Sequence, residues 1–184
     1  MSNHSWSVGR TAGAILILGA LACFVGAGMY VQEEGALVRD ELLHTWVRIL
    51  ISAAVVLTAI GFGLLEDALQ GIGGRALGRI GASAYLFGGV LVVAGEALAF
   101  TLRWDQVTPL IIVYDVMAYL AQACIGAALV QARIVNPIIG WATIVWNLGW
   151  LLALVIVGWA VGYIPLLHHL MPLVIGIALL RRRG

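Results

Sequence analysis

TAGAILILGALACFVGAGMYV, residues 11–31, runs for 21 positions without a single charged side chain. A helix crossing a bilayer needs about 20 mainly apolar residues at roughly 1.5 Å each, and this stretch meets that length. It is too long for the apolar core of a secretory signal, and no small-residue cleavage pattern follows it, so it is expected to be retained as a first transmembrane helix. Working outward, five further apolar runs follow at His44–Leu65, Ile80–Leu102, Thr108–Ala132, Ile138–Tyr163 and Ile164–Leu180. The last is the shortest and is interrupted by Pro172, so it is expected to start below the lipid surface or to thin the bilayer locally.

Composition agrees. Of 184 residues 62% are hydrophobic and 10% charged, with a mean hydropathy of +1.04. Water-soluble domains carry about a quarter charged residues, so this chain needs lipid rather than water around it. The fold class expected is all-α: a polytopic bundle of six transmembrane helices forming one domain over residues 1–184. Connections at Gln32–Leu43, Glu66–Arg79, Arg103–Val107 and Arg133–Pro137, with a tight turn near Tyr163–Pro165, are short enough to make successive helices antiparallel neighbours. Gln70–Gly78 is glycine-rich and reads as a flexible loop. It has no preceding strand and no lysine, so it is not a phosphate-binding loop.

All ten basic residues are arginines. Arg10, Arg75, Arg79, Arg133, Arg181, Arg182 and Arg183 fall on one side of the six-span topology, and Arg39, Arg48 and Arg103 on the other. The side richer in arginine is expected to be cytoplasmic, which puts both termini there. Arginine without lysine, and heavy Ala, Gly, Leu and Val usage, suggest a bacterial source and hence the cytoplasmic (inner) membrane. A net charge of +1 with no basic stripe excludes a nucleic-acid partner. Cys23 and Cys124 lie in separate apolar runs, giving neither a disulfide framework nor a zinc pattern, and no metal is expected. Without lysine there is no retinal or pyridoxal Schiff base, and HExxH, GxSxG and CxxCH are absent. Small residues at four-residue spacing (Gly19, Cys23, Ala27; Ala84, Gly88) mark close helix contacts.

Function has to be read from the charges inside the runs. An ionisable group at the bilayer centre costs about 2.5–3.5 kcal/mol on insertion scales, so Arg48, Glu96 and Asp115 are expected to be partnered or functional. With His168 and His169 they fall about 6–11 Å below the outer boundary, counted along the helices. Polar stripes run behind them: Asp115, Tyr119, Gln122 and Gly126; His44, Arg48 and Ser52; Thr143, Asn147 and Trp150. In lipid such stripes turn inward, so they are expected to line one outward-opening cavity. One arginine would then face two acids, leaving one carboxyl to bind a proton or cation. A plain structural ion pair that fixes helix register is the competing reading.

Adjacent His168 and His169 point about 100° apart on a helix, so one is expected at the interface and the other packed. A sharper alternative pairs His44 with His168 as haem ligands, with Arg48 near the propionates. Trp6, Trp46, Trp104, Trp141 and Trp159 suit an interfacial belt, whereas Trp146 and Trp150 lie one turn apart near mid-membrane, as packing residues or pocket lining.

From Tyr114 onward the order of features resembles a family of uncharacterised bacterial six-helix membrane proteins. The matching residues are Tyr114 with Ala118, Ile125–Gly126–Ala127 with Arg133, Gly140-Trp141-Ala142-Thr143, and Tyr163, Pro165, His168, Pro172, Gly176 and Leu179–Leu180. The resemblance implies the six-helix fold and no activity. The function expected is binding or transport of a small or lipophilic ligand by Arg48, Glu96, Asp115, Tyr119, Gln122, Asn147, Trp150 and His168. The alternatives are an intramembrane acid–base enzyme of isomerase type using Glu96, Asp115 and a histidine, and an accessory or haem-binding subunit of a membrane complex. Lipid is the expected surroundings, with a homo-oligomer or complex partner left open.

Overall fold

The computed structural model describes residues 3–34, 41–101, 104–158 and 165–181. They form an all-helical, polytopic bundle of α1 (Asn3–Glu34), α2 (Glu41–Ala68), α3 (Arg75–Leu98), α4 (Trp104–Ala132), α5 (Pro137–Val157) and α6 (Pro165–Arg181). Five of these, over Ser7–Val31, Leu42–Ala68, Arg75–Leu98, Asp105–Ala132 and Pro137–Val157, are long and apolar enough to cross a membrane. The sixth, Leu167–Arg181, is apolar but shorter, as its sequence indicated.

Helix ends differ from the apolar runs because polar residues continue a helix past the lipid core. α1 and α2 both extend beyond their runs, and α3 begins at Arg75, five residues before Ile80. Consequently the stretch Gln70–Gly78 is not a loop throughout, since its last four residues form the first turn of α3. Glu66 holds that turn, with Arg75 Nε 3.2 Å and Arg79 Nε 4.0 Å from its Oε1. Gly74 precedes the turn at φ 88°, where a side chain would also run into the Ala128 carbonyl. α5 starts sharply because the Asn136 side chain accepts a hydrogen bond from Ile138 N at 3.0 Å and Pro137 occupies the first turn. It stops at Gly158, short of the expected Tyr163. The tight turn expected near Tyr163–Pro165 falls mostly on residues outside those described.

Packing runs around a ring in chain order, and α6 closes it against α1. Backbones meet where side chains are smallest. A Cβ on Gly126 would stand 2.7 Å from the Gly140 carbonyl, and one on Gly140 would stand 2.6 Å from the Gly126 carbonyl, so α4 and α5 touch backbone to backbone. Gly13 and Gly176 make the same reciprocal contact between α1 and α6. α6 is seated firmly on α1 but lightly on α4 and α5, which leaves side chains rather than backbones to fill that part of the interior.

The outside is apolar. On α5, Ile138, Val145, Leu152, Val155 and Ile156 are 60–73% exposed while Thr143 and Asn147 are fully buried. Trp46 and Trp141 are also exposed, as a lipid-facing belt requires. This inversion, apolar outside and polar inside, is the arrangement of a multi-pass membrane protein in contact with lipid.

Candidate functional site

Every polar residue singled out on α4 and α6, and the two small ones on α5, turns inward. Asp115, Tyr119, Gln122, Thr143, Asn147 and His168 are each at most 2% exposed. Arg48 and Glu96 are buried as well. They do not form one constellation. The structure resolves them into two groups at different levels of the bundle.

The rim group joins α2 and α3. Arg48 Nη1 lies 2.7 Å from Glu96 Oε2, Arg48 Nε donates to His44 Nε2 at 2.8 Å, and the guanidinium sits 5.5 Å from the centroid of the Phe100 ring. A buried arginine with a carboxylate, an imidazole acceptor and an aromatic face has its charge and its donors largely answered. Glu96 lies two residues from the end of α3, so this group sits near the bundle's rim.

The central group joins α4 and α6. His168 Nε2 stands 3.1 Å from Asp115 Oδ1, and its ring stacks on Tyr119 with centroids 4.1 Å apart. Tyr114 covers it from another side at 5.5 Å. Gln122 Nε2 donates to the His168 carbonyl at 2.8 Å. On α5, Trp146 Nε1 donates to the Leu167 carbonyl at 3.2 Å, which ties this turn of α5 to the start of α6. Seven residues from the Gly126–Gly140 contact, two turns along each antiparallel helix, helix register puts Tyr119 and Asn147 at one level on the faces those glycines occupy.

Helix register gives the separation. A Cβ on Gly88 would meet Tyr114, so Asp115 lies level with Gly88. Glu96 is eight residues further along α3, about 12 Å higher. The expectation of a single slab therefore gives way to two tiers, and Asp115 has His168 rather than Arg48 as its partner. Counting from apolar run ends misjudged the depth because α4 begins at Trp104, one turn before its run, which carries Asp115 into the middle third of the helix.

His169 does not lie at an interface. It is buried, with Nδ1 3.2 Å from Thr58 Oγ1. Thr58 also reaches the Tyr85 hydroxyl, which pairs with the Tyr114 hydroxyl at 3.3 Å. Tyr85 and Thr58 are the residues the sequence reading passes over. The signal was present: the buried face of α3 that ends at Glu96 runs back through Val92, Gly88 and Gly89 to Tyr85 and Gly81. Trp150 is half-buried and packs edge-on against Trp146, centroids 5.9 Å apart, which suits the packing role. The haem pairing finds no support in this geometry, since His44 Nε2 receives Arg48 and His168 Nε2 faces Asp115.

What distinguishes the central group is its unanswered oxygens. Tyr119 OH, Gln122 Oε1, Asn147 Oδ1 and, despite its 3.1 Å approach to His168, Asp115 Oδ1 are buried and meet no hydrogen-bond partner among the described residues. Leaving a buried polar atom unpaired costs about 1–3 kcal/mol, so a set of them in one part of the bundle calls for an explanation. No family model, curated protein or solved structure matches the chain.

Proposed function

We propose that this protein binds, and passes across the bilayer, a small or lipophilic ligand held in the central chamber between α4, α5 and α6. The observation that carries the reading is the set of unpaired oxygens on Tyr119, Gln122 and Asn147 beside the Asp115–His168 contact. A purely structural core would have no use for them, because apolar residues of the same shape pack at no such cost. The binding residues in this reading are Asp115, Tyr119, Gln122, Asn147 and His168. Arg48 and Glu96 act above them as a fastener at the rim. The host membrane is a bacterial cytoplasmic membrane with both chain ends on its inner side, a topology supported by the arginine distribution. The resemblance to uncharacterised bacterial six-helix membrane proteins agrees with this setting and supplies no activity.

A second reading has one observation in its favour. Asp115 and His168 at 3.1 Å form a carboxylate–imidazole pair of the kind that moves protons, so an isomerase-type enzyme acting on a lipophilic substrate would use them as acid and base. A bell-shaped pH dependence of turnover separates an enzyme from a carrier.

The test is what stays bound during purification. Small molecules extracted from the detergent-purified wild type, compared by mass spectrometry with Asp115→Asn and Asn147→Leu, should include a compound that both variants lose while keeping wild-type helicity. Identical extracts from all three proteins, with no added small molecule that stabilises the wild type more than the variants, reject the chamber as a binding site.

A further inference from the structure

The orientation of two amides in the chamber narrows the ligand, on the reading that the chamber binds one at all. Asn147 Nδ2 donates to the Thr143 carbonyl at 2.7 Å, and Gln122 Nε2 donates to the His168 carbonyl at 2.8 Å. Only the NH₂ end of an amide can face a carbonyl, so both amides are pinned with their oxygens outward. Those oxygens, Asn147 Oδ1 and Gln122 Oε1, meet no hydrogen-bond partner among the described residues, and neither do the Tyr119 hydroxyl and Asp115 Oδ1. The Asp115 carboxylate adjoins them through His168. The wall is thus almost all acceptor.

Its charge points the same way. Arg48 is committed to Glu96 and His44 about 12 Å along the bundle. Of the other described arginines, Arg75, Arg79, Arg133 and Arg181 lie in or beside the terminal turns of their helices, and Arg10 follows Gly9, which faces Ala68 at the end of α2. His169 is turned to Thr58 on α2. Among the described residues no group of three or more His, Cys, Asp or Glu side chains could hold a metal ion, so nothing here suits a multivalent cation. One carboxylate with several neutral oxygens matches a single positive charge that carries its own N–H donors.

We infer that the central chamber binds an ammonium group, either the ammonium ion or the head of a small primary amine, with its N–H bonds directed at Gln122 Oε1, Asn147 Oδ1 and Tyr119 OH and its charge balanced by Asp115. Anions are disfavoured by the same wall, since each would face the Asp115 carboxylate and two amide oxygens, with the Tyr119 hydroxyl as donor.

Thermal unfolding of the detergent-purified full chain, titrated with methylammonium chloride at constant ionic strength, tests this. Tetramethylammonium chloride has the charge without N–H donors, and sodium chloride has neither N–H donors nor the shape. Methylammonium should raise the melting temperature saturably while the other two do not. Asn147→Leu should move the midpoint at least tenfold upward. Asn147→Asp adds a negative oxygen to the wall at nearly constant volume and should move it downward, a change of opposite sign that misfolding does not produce. Equal shifts from all three salts overturn the ammonium assignment. No saturable shift, together with a neutral or anionic compound that copurifies and is lost in Asp115→Asn, overturns the ligand class and leaves the chamber standing. No shift and no such compound overturns both.

Discussion

Arg48–Glu96 and Asp115–His168 are both buried polar contacts between helices, yet their surroundings ask for different things. Around Arg48 the donors have acceptors: Glu96 at 2.7 Å, His44 at 2.8 Å and the face of Phe100. Around His168 the rings stack well, but Tyr119 OH, Gln122 Oε1, Asn147 Oδ1 and Asp115 Oδ1 have no hydrogen-bond partner among the described residues. A mated pair inside a membrane satisfies the physics by itself and fixes how α2 meets α3. An unmated set of oxygens leaves hydrogen-bonding capacity that the described residues do not use. Intramembrane charge alone is thus a poor guide to function; the unpaired remainder is the better one.

The largest effect is expected where the comparison can be broken outright. Glu96→Gln strands the Arg48 guanidinium in a buried position and should cost about 3–5 kcal/mol, read from unfolding in mixed micelles. The double variant Arg48→Met with Glu96→Leu removes both charges and should return most of that loss. Retention of the chamber ligand by the double variant is the expected outcome. Its loss from a folded double variant would merge the two tiers into one site.

The fold was legible because lipid imposes a simple rule: uncharged runs of about 20 residues become helices whatever their details. Which residues face inward was legible too, since Asp115, Tyr119 and Gln122 on one stripe of α4 and Thr143 with Asn147 on α5 are all buried. Partner choice was not. Whether Asp115 meets Arg48 or His168 depends on the register of α3 against α4, which glycine contacts at Gly81, Gly88 and Gly95 set, and on how α6 folds back over α1 through Gly13 and Gly176. Neither quantity is periodic in the sequence. The amide orientations of Gln122 and Asn147 were hidden for the same reason, because backbone carbonyls on α6 and α5 decide them.

Next in size is the α4–α5 contact that brings Tyr119 opposite Asn147. Gly140→Ala places a methyl 2.6 Å from the Gly126 carbonyl and from Val130 Cγ2, with backbone rather than a flexible tip to move. A cost of about 1–3 kcal/mol is expected, with weakened ligand retention as the helices part. Gly28→Ala on α1, where the added methyl meets nothing within 4 Å, is the matched control and should leave retention unchanged. If the control weakens ligand retention as much as Gly140→Ala, the effect comes from the bundle as a whole and the chamber loses its special status.

The smallest change is the sharpest. Tyr119→Phe deletes one of the unpaired oxygens and leaves the ring stacked 4.1 Å from His168. In the ligand-free protein it removes an unanswered buried hydroxyl, so stability should hold or rise by about 1 kcal/mol. The same deletion removes a partner of the ligand, so retention should fall several-fold. Opposite signs in the two measurements are the mark of a group kept for binding at the expense of stability. A hydroxyl that serves the core would lower stability when removed and leave binding alone, and that result would make the central group as structural as the rim pair.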